Sequence, residues 1–300
     1  MVSFNALVRR HCRIYYMDKA TVIASLLMPM ILIFLYLTIL KNVYVSSFTE
    51  LLPAGAALPD GMTNGFIYGW LFAGLLAASG VTVSFCSNII MTQDRLSGLV
   101  RDLAVSPVGK VKLGMSYYFA NMFTTLFICV CELVFAFIVL ACMGWYLSAA
   151  DVLRILLIVF INANFGTALS SFVFLFVTSN GQLAAINTIV SAGYGFFCGA
   201  FMPLAGFGGA VQSAVSFFPG TYLTFFLRDS FLNGVMRAME GQLPPGTVPQ
   251  IAEAFDLKLS FMGTQITAWG SFAAAVCCVG AMILVYAAGT KLSKKAGRYV

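Results

Sequence analysis

Six long apolar runs decide what this chain can fold into. They fall at about 21–40, 65–90, 113–142, 152–178, 183–203 and 266–290. Each is close to or above the roughly 20 residues that a helix needs to cross a bilayer core. In lipid every backbone polar group must be satisfied within the protein, which leaves helices as the form for apolar runs of this length. Charge agrees, since only 9% of the residues are charged where a soluble domain carries about 25%. The expectation is an all-α integral membrane protein, one domain over 1–300, with six transmembrane helices.

Basic residues set the expected orientation. Arg9, Arg10, Arg13 and Lys19 precede the first run, and Arg95, Arg101, Lys110 and Lys112 follow the second. Lys291, Lys294, Lys295 and Arg298 close the tail. With six crossings all of these fall on one side. Lys41, Arg154, Arg228, Arg237 and Lys258 fall on the other, among seven acids. The positive-inside rule then places both termini and the 91–110 segment in the cytoplasm of a multi-pass cell-membrane protein. The first run follows about twenty residues with four basic groups and no small-residue cleavage site, so it reads as an uncleaved span.

Between the fifth and sixth runs, 204–235 is apolar but interrupted by Gly206, Gly208, Gly209, Pro219 and Gly220. It is too short for two crossings and reads as an external re-entrant helical hairpin. Residues 41–64 and 236–265 read as external loops. A seventh span at 217–235 would carry the basic tail outside and is disfavoured.

Several chemistries lack their residues. No GxxxxGK[ST] occurs, so the chain does not hydrolyse ATP by itself, and it has no catalytic motif of its own. The single histidine, His11, leaves no Ser–His or zinc proteolytic set. The eight cysteines include no CxxC pair, lie mostly in apolar runs, and read as small fillers, so no metal is expected. No nucleic-acid partner is expected. Asn162, Asn164 and Asn187 read as interhelical hydrogen bonders.

Four polar features remain. In 1–20, Phe4, Leu7, Val8, Cys12 and Tyr15 recur at helical spacing, with Arg9, Arg10 and Arg13 largely elsewhere. This suits a helix lying on the inner leaflet, although a plain basic flank would carry the same charges. In 91–110, Leu96, Leu99, Val100 and Leu103 form an apolar stripe beside Asp94, Arg95, Arg101 and Asp102, and Pro107 ends the helix. Glu132 is the one acid deep in a run. An ionised group there is costly, so it is either a pore-facing group or a hydrogen-bonded structural carboxyl. Arg228-Asp229 ends an apolar stretch, as a headgroup anchor or an outer-gate ion pair. The phenylalanines around it, including Phe197, Phe201 and Phe218, line an apolar exit path or simply pack.

The pattern Asp94-Arg95-x-x-Gly98 followed by Leu103-x-x-Ser106-Pro107 resembles the cytoplasmic segment of ABC-2 type permeases, the membrane subunits of ATP-driven exporters. Leu96 stands where the family usually has a second acid. Gly199-Ala200-Phe201-Met202-Pro203-Leu204, then Phe217-Phe218-Pro219 and Arg228, is similar to the external re-entrant region of the drug and natural-product members. The resemblance runs the length of the chain, with the elements in the family's order. It implies an exporter permease for an amphipathic cargo: a drug, an antibiotic, a peptide or a lipid-linked molecule. A separate ATPase subunit would carry ATP and Mg, with no cofactor in this chain. A second copy or a related permease would complete a dimer in membrane lipid. It further implies that Asp94, Arg95, Gly98, Leu99, Arg101, Asp102, Leu103 and Pro107 meet the ATPase, with Leu99 and Leu103 as the apolar key. Glu132, Phe197, Phe201, Phe218 and Arg228 would serve the substrate path or gate. The rival reading is an ATP-independent carrier or lipid scramblase using Glu132.

Overall fold

The second apolar run becomes the axis of the molecule. In the computed structural model, which describes residues 3–53, 58–100, 109–203, 215, 218–257, 259–261, 264–266 and 268–292, the chain begins with α1 (Phe4–Met17). Then follow α2 (Lys19–Leu35), a π-helical turn at Tyr36–Leu40, and α3 (Lys41–Glu50). Next come α4 (Asp60–Ser87), α5 (Ile89–Leu96), α6 (Lys110–Met143) and α7 (Ala149–Phe174). The remainder is α8 (Asn180–Phe197), α9 (Pro219–Glu240), α10 (Thr247–Ala254), the antiparallel strands β1 (Leu259–Phe261) and β2 (Thr264–Ile266), and α11 (Ala268–Leu292).

Helix α4 packs against α2, α6, α7, α8 and α9, and its apolar stretch is wholly buried. Small residues make this possible, because helices in lipid associate by close backbone approach rather than by hydrophobic exclusion. At the α4–α7 crossing a Cβ on Gly166 would collide with the Gly80 carbonyl, and one on Gly80 with the Asn162 side chain. The space left free lets Asn162 Nδ2 donate to Leu76 O at 2.8 Å and Ala77 O at 3.2 Å. Helix α11 closes the bundle against α6, α7 and α9, and α1 lies across α6.

Caps fix several starts. Ser148 and Asp151 form a reciprocal capping box at α7. Ser179 caps α8, and Pro219 opens α9 at a position where its missing N–H costs nothing. In contrast to α4, α2 leaves Ile23, Leu27, Met30 and Phe34 exposed, as a lipid-facing helix does.

All six apolar runs are helical at their centres. Four stretches among the described residues are long and apolar enough to cross a membrane: Lys19–Glu50, Asp60–Leu96, Val111–Met143 and Ala149–Phe174, with a shorter apolar helix at Val276–Tyr286. Three expectations change. The stretch 41–64 is not all loop, because the first helix continues through the π turn into α3. The stretch 236–265 carries the end of α9, then α10 and the β1–β2 hairpin, so the fold is helical with one small hairpin rather than purely α. Within 204–235, residues 204–214 and 216–217 lie outside the described residues. The rest is largely α9, which runs on to Glu240 and packs on α4, α7 and α11.

Candidate functional site

Two polar centres lie at opposite ends of α4, with a buried carboxyl between them. The first is built where α5 leaves α4. Asp94 Oδ2 accepts from Arg10 Nη1 of α1 at 3.0 Å and from the Tyr117 hydroxyl of α6 at 2.6 Å. Tyr117 also stacks on His11, with ring centroids 3.9 Å apart. His11 is buried, and its hydrogen bonds settle its tautomer. Ser116 Oγ gives its proton to Leu113 O at 2.6 Å, so it accepts from His11 Nε2–H at 3.2 Å. Nδ1 is then the acceptor for Arg10 at 3.1 Å. Burial first, and the Arg10 guanidinium second, hold the imidazole's pKa down at about 4, against a smaller opposing pull from Asp94.

Arg95 points the other way. Its guanidinium donates to Phe174 O at 2.9 Å, to Leu175 O at 3.2 Å and to Val177 O, at the C-terminal end of α7. A cation is favoured there by the helix dipole and by the unpaired last carbonyls. Asp94 and Arg95 therefore tie α5 to α1, α6 and α7 through bonds within the chain rather than standing free on a rim.

The 91–107 segment is not one continuous helix. Gly98 takes φ +85°, in a left-handed conformation that favours glycine, with open space where a Cβ would lie. Ser97 N bonds Gln93 O and Gly98 N bonds Arg95 O, ending α5, and helical geometry resumes at 99–100. The predicted stripe divides accordingly. Leu96 is 38% exposed, Leu99 is half-buried and Val100 is buried. Arg101, Asp102, Leu103 and Pro107 lie outside the described residues.

A cavity of about 550 Å³ opens beside this junction, between α5 and the first half of α8. Ile89, Leu96, Leu183 and Ala184 supply apolar walls, and Gln93, Ser97, Asn180 and Asn187 supply neutral polar groups. Asn187 Oδ1 is buried there without a hydrogen-bond partner. The cavity is an open groove rather than an enclosed pocket, with Gln93, Leu96, Ser97 and Ala184 exposed along it.

Glu132 sits in α6, 6% exposed, with neither carboxyl oxygen hydrogen-bonded. The Ser79 hydroxyl of α4, its nearby polar neighbour, has no bonded partner either. Arg228 forms the second centre. It is 2% exposed, which excludes a headgroup anchor. Its ion-pair partner is Asp256, at 3.7 Å, rather than Asp229. Its guanidinium lies 4.1 Å from the Trp70 ring centroid and donates to Gly199 O at 2.6 Å. Trp70 Nε1 in turn donates to Phe255 O at 2.9 Å. Trp70 and Ser79 are nine residues apart on α4, so Arg228 and Glu132 belong to levels about 13 Å apart along it.

The phenylalanines do not form one lining. Phe197 is exposed, Phe201 packs edge-on against Phe196, and Phe218 packs between Phe165 and Tyr194. Arg10, Tyr117, Asp256 and the 550 Å³ cavity were not legible as site features in the sequence, because their partners are remote along the chain.

Comparison with known proteins bears on what this arrangement serves. The search among curated proteins returned no match. A family model, that of the ABC-2 type transporter, matches residues 2–232. That match takes in α1, the α5 junction, the Glu132 level and Arg228, and covers well over half of the chain. The chain belongs to the ABC-2 type transporter family and is a membrane permease subunit of an ABC transporter.

Proposed function

We propose that this permease exports an amphipathic, largely uncharged molecule across the cell membrane, powered by a separate ATPase that docks on the 91–107 segment. The cavity between α5 and α8 carries the reading. Among the described residues it mixes apolar walls with neutral hydrogen-bonding groups and presents no charged side chain. It also adjoins the segment that the ATPase would move. Six crossings with both termini cytoplasmic put this cavity at the inner face, where cargo enters, and the Arg228 centre toward the outer face. Two permeases, identical or related, enclose the path.

The segment is built to transmit force. Asp94 ties it to α1 and α6, and Arg95 ties it to α7. Leu99 offers the apolar contact. Arg101, Asp102, Leu103 and Pro107 complete the docking surface, with ATP and Mg held by the partner. Phe197, Phe201 and Phe218 belong to the exit side.

The test is transport in inverted vesicles holding the permease and its ATPase, with a neutral amphipathic dye as cargo. ATP-dependent uptake that falls at least tenfold in the Asn187→Leu variant supports the reading. A second reading, a proton-linked carrier, draws on the two unpartnered oxygens of Glu132. Uptake driven by a pH gradient without ATP, and abolished by Glu132→Gln, would replace the first reading with that one.

A further inference from the structure

Where α8 ends, three consecutive carbonyls have no backbone partner among the described residues. Each is taken by a side chain from a different element. Gly199 O accepts from Arg228 Nη2 of α9 at 2.6 Å. Ala200 O accepts from the hydroxyl of Tyr36, the first residue of the π turn, at 3.3 Å. Phe201 O accepts from the Tyr44 hydroxyl of α3 at 2.9 Å. Tyr36, Cys198, Ala200 and Arg228 are all buried, and Phe201 is half-buried.

The backbone is fitted as closely as the side chains. Gly199 has φ +68°, which lets the chain turn. Gly74 of α4 receives the Ala200 carbonyl in space that a Cβ would fill. A carbonyl buried in apolar surroundings must keep a donor or lose stability. All three are therefore satisfied together in one seating of the turn, and movement of α2–α3 away from α8 breaks two of these bonds at once. The π turn places the Tyr36 donor where the first helix is least regular, and such turns often mark functional positions.

We infer that this three-donor hold on residues 199–201 is the latch of the closed outer gate, with Tyr36 and Tyr44 as positioning residues. The inference rests on the transporter reading for its purpose, but the latch itself can be tested without cargo or ATPase. Arg228 stays with α9 and Gly199. The two tyrosine hydroxyls are the bonds that must break when the outer end of α8 parts from α2–α3. Weakening them favours the open gate.

Cys198, 1% exposed and next to the turn, reports on the latch. The full chain, with Cys198 as its sole thiol, is placed in lipid nanodiscs and exposed to a water-soluble maleimide. Labelling is slow in the parent. It accelerates about fivefold in Tyr36→Phe and in Tyr44→Phe, the change expected for one lost hydrogen bond each, and further in the double variant. Gly74→Ala, which crowds the Ala200 carbonyl without removing a hydroxyl, gives the same acceleration. A matched set with Cys129 of α6 as the sole thiol, also 1% exposed, stays slow throughout. Unchanged Cys198 labelling in the double variant and in Gly74→Ala overturns the latch. So does an equal rise at Cys129, which would mean general loosening. Absence of ATP-driven transport by the parent, with Cys198 labelling as described, counts against the exporter reading alone.

Discussion

The junction around Asp94 and the turn around Arg228 each bury polar groups, but they are built differently. At the junction, Asp94 meets Arg10 and Tyr117 side chain to side chain, and Arg10 keeps about a third of its side-chain surface exposed. At the turn, a nearly solvent-free guanidinium and two tyrosines hold backbone carbonyls. A partly solvated ion pair contributes little and can reorganise at small cost. A dry charge that loses its partner is expensive. The junction is thus suited to an element that must shift on every cycle, and the turn to one with a definite closed state.

Breaking the Arg228 centre should have the largest effect. Arg228→Ala removes the donor to the Gly199 carbonyl and the cation beside Asp256 and should cost about 3–5 kcal/mol, read as a lowered unfolding midpoint in nanodiscs. Asp94→Ala removes one acceptor shared by Arg10 and Tyr117 and should cost about 2 kcal/mol. Arg10→Gln, at the partly exposed end of the same pair, should cost about 1 kcal/mol or less. Equal losses for Arg228→Ala and Arg10→Gln would erase the contrast between the two regions.

A separate test is a pH dependence arising at the junction. His11 has its pKa lowered in the folded protein to about 4, from an ordinary value of 6.5. Between those values the unfolded state binds more protons than the folded one. The contribution is therefore fully present above pH 6.5 and is lost as the pH falls toward 4. Unfolding of the parent followed across that window should show the loss, and His11→Gln should remove it. A parent whose stability rises on acidification would contradict the neutral imidazole.

The apolar runs were legible because bilayer thickness imposes a local length rule, readable without knowing any neighbour. The charged residues were legible in position but not in role. Asp94 and Arg95 read as contacts for the ATPase, yet their partners Arg10, Tyr117 and the end of α7 lie up to 84 residues away. Arg228 read as a headgroup anchor or as an ion pair with Asp229, because its partners Trp70 and Asp256 are distant along the chain. Gly98 was visible, but positions 96, 99, 100 and 103 keep helical spacing across it and so concealed the break. The polar character of 236–265 implied solvent exposure and gave no sign of α10 or the hairpin. Glu132 was legible as exceptional, and the structure leaves it so.

The account turns on the 91–107 segment receiving an ATPase. The most direct measurement is gentle purification of the chain from its native host, with partners identified by mass spectrometry, for the parent and for Leu99→Asp. The account predicts a stoichiometric P-loop ATPase with the parent and its loss from the variant, while Cys129 stays protected from thiol labelling. An ATPase retained equally by both, or a chain that transports in ATP-free liposomes with no such partner, would contradict it.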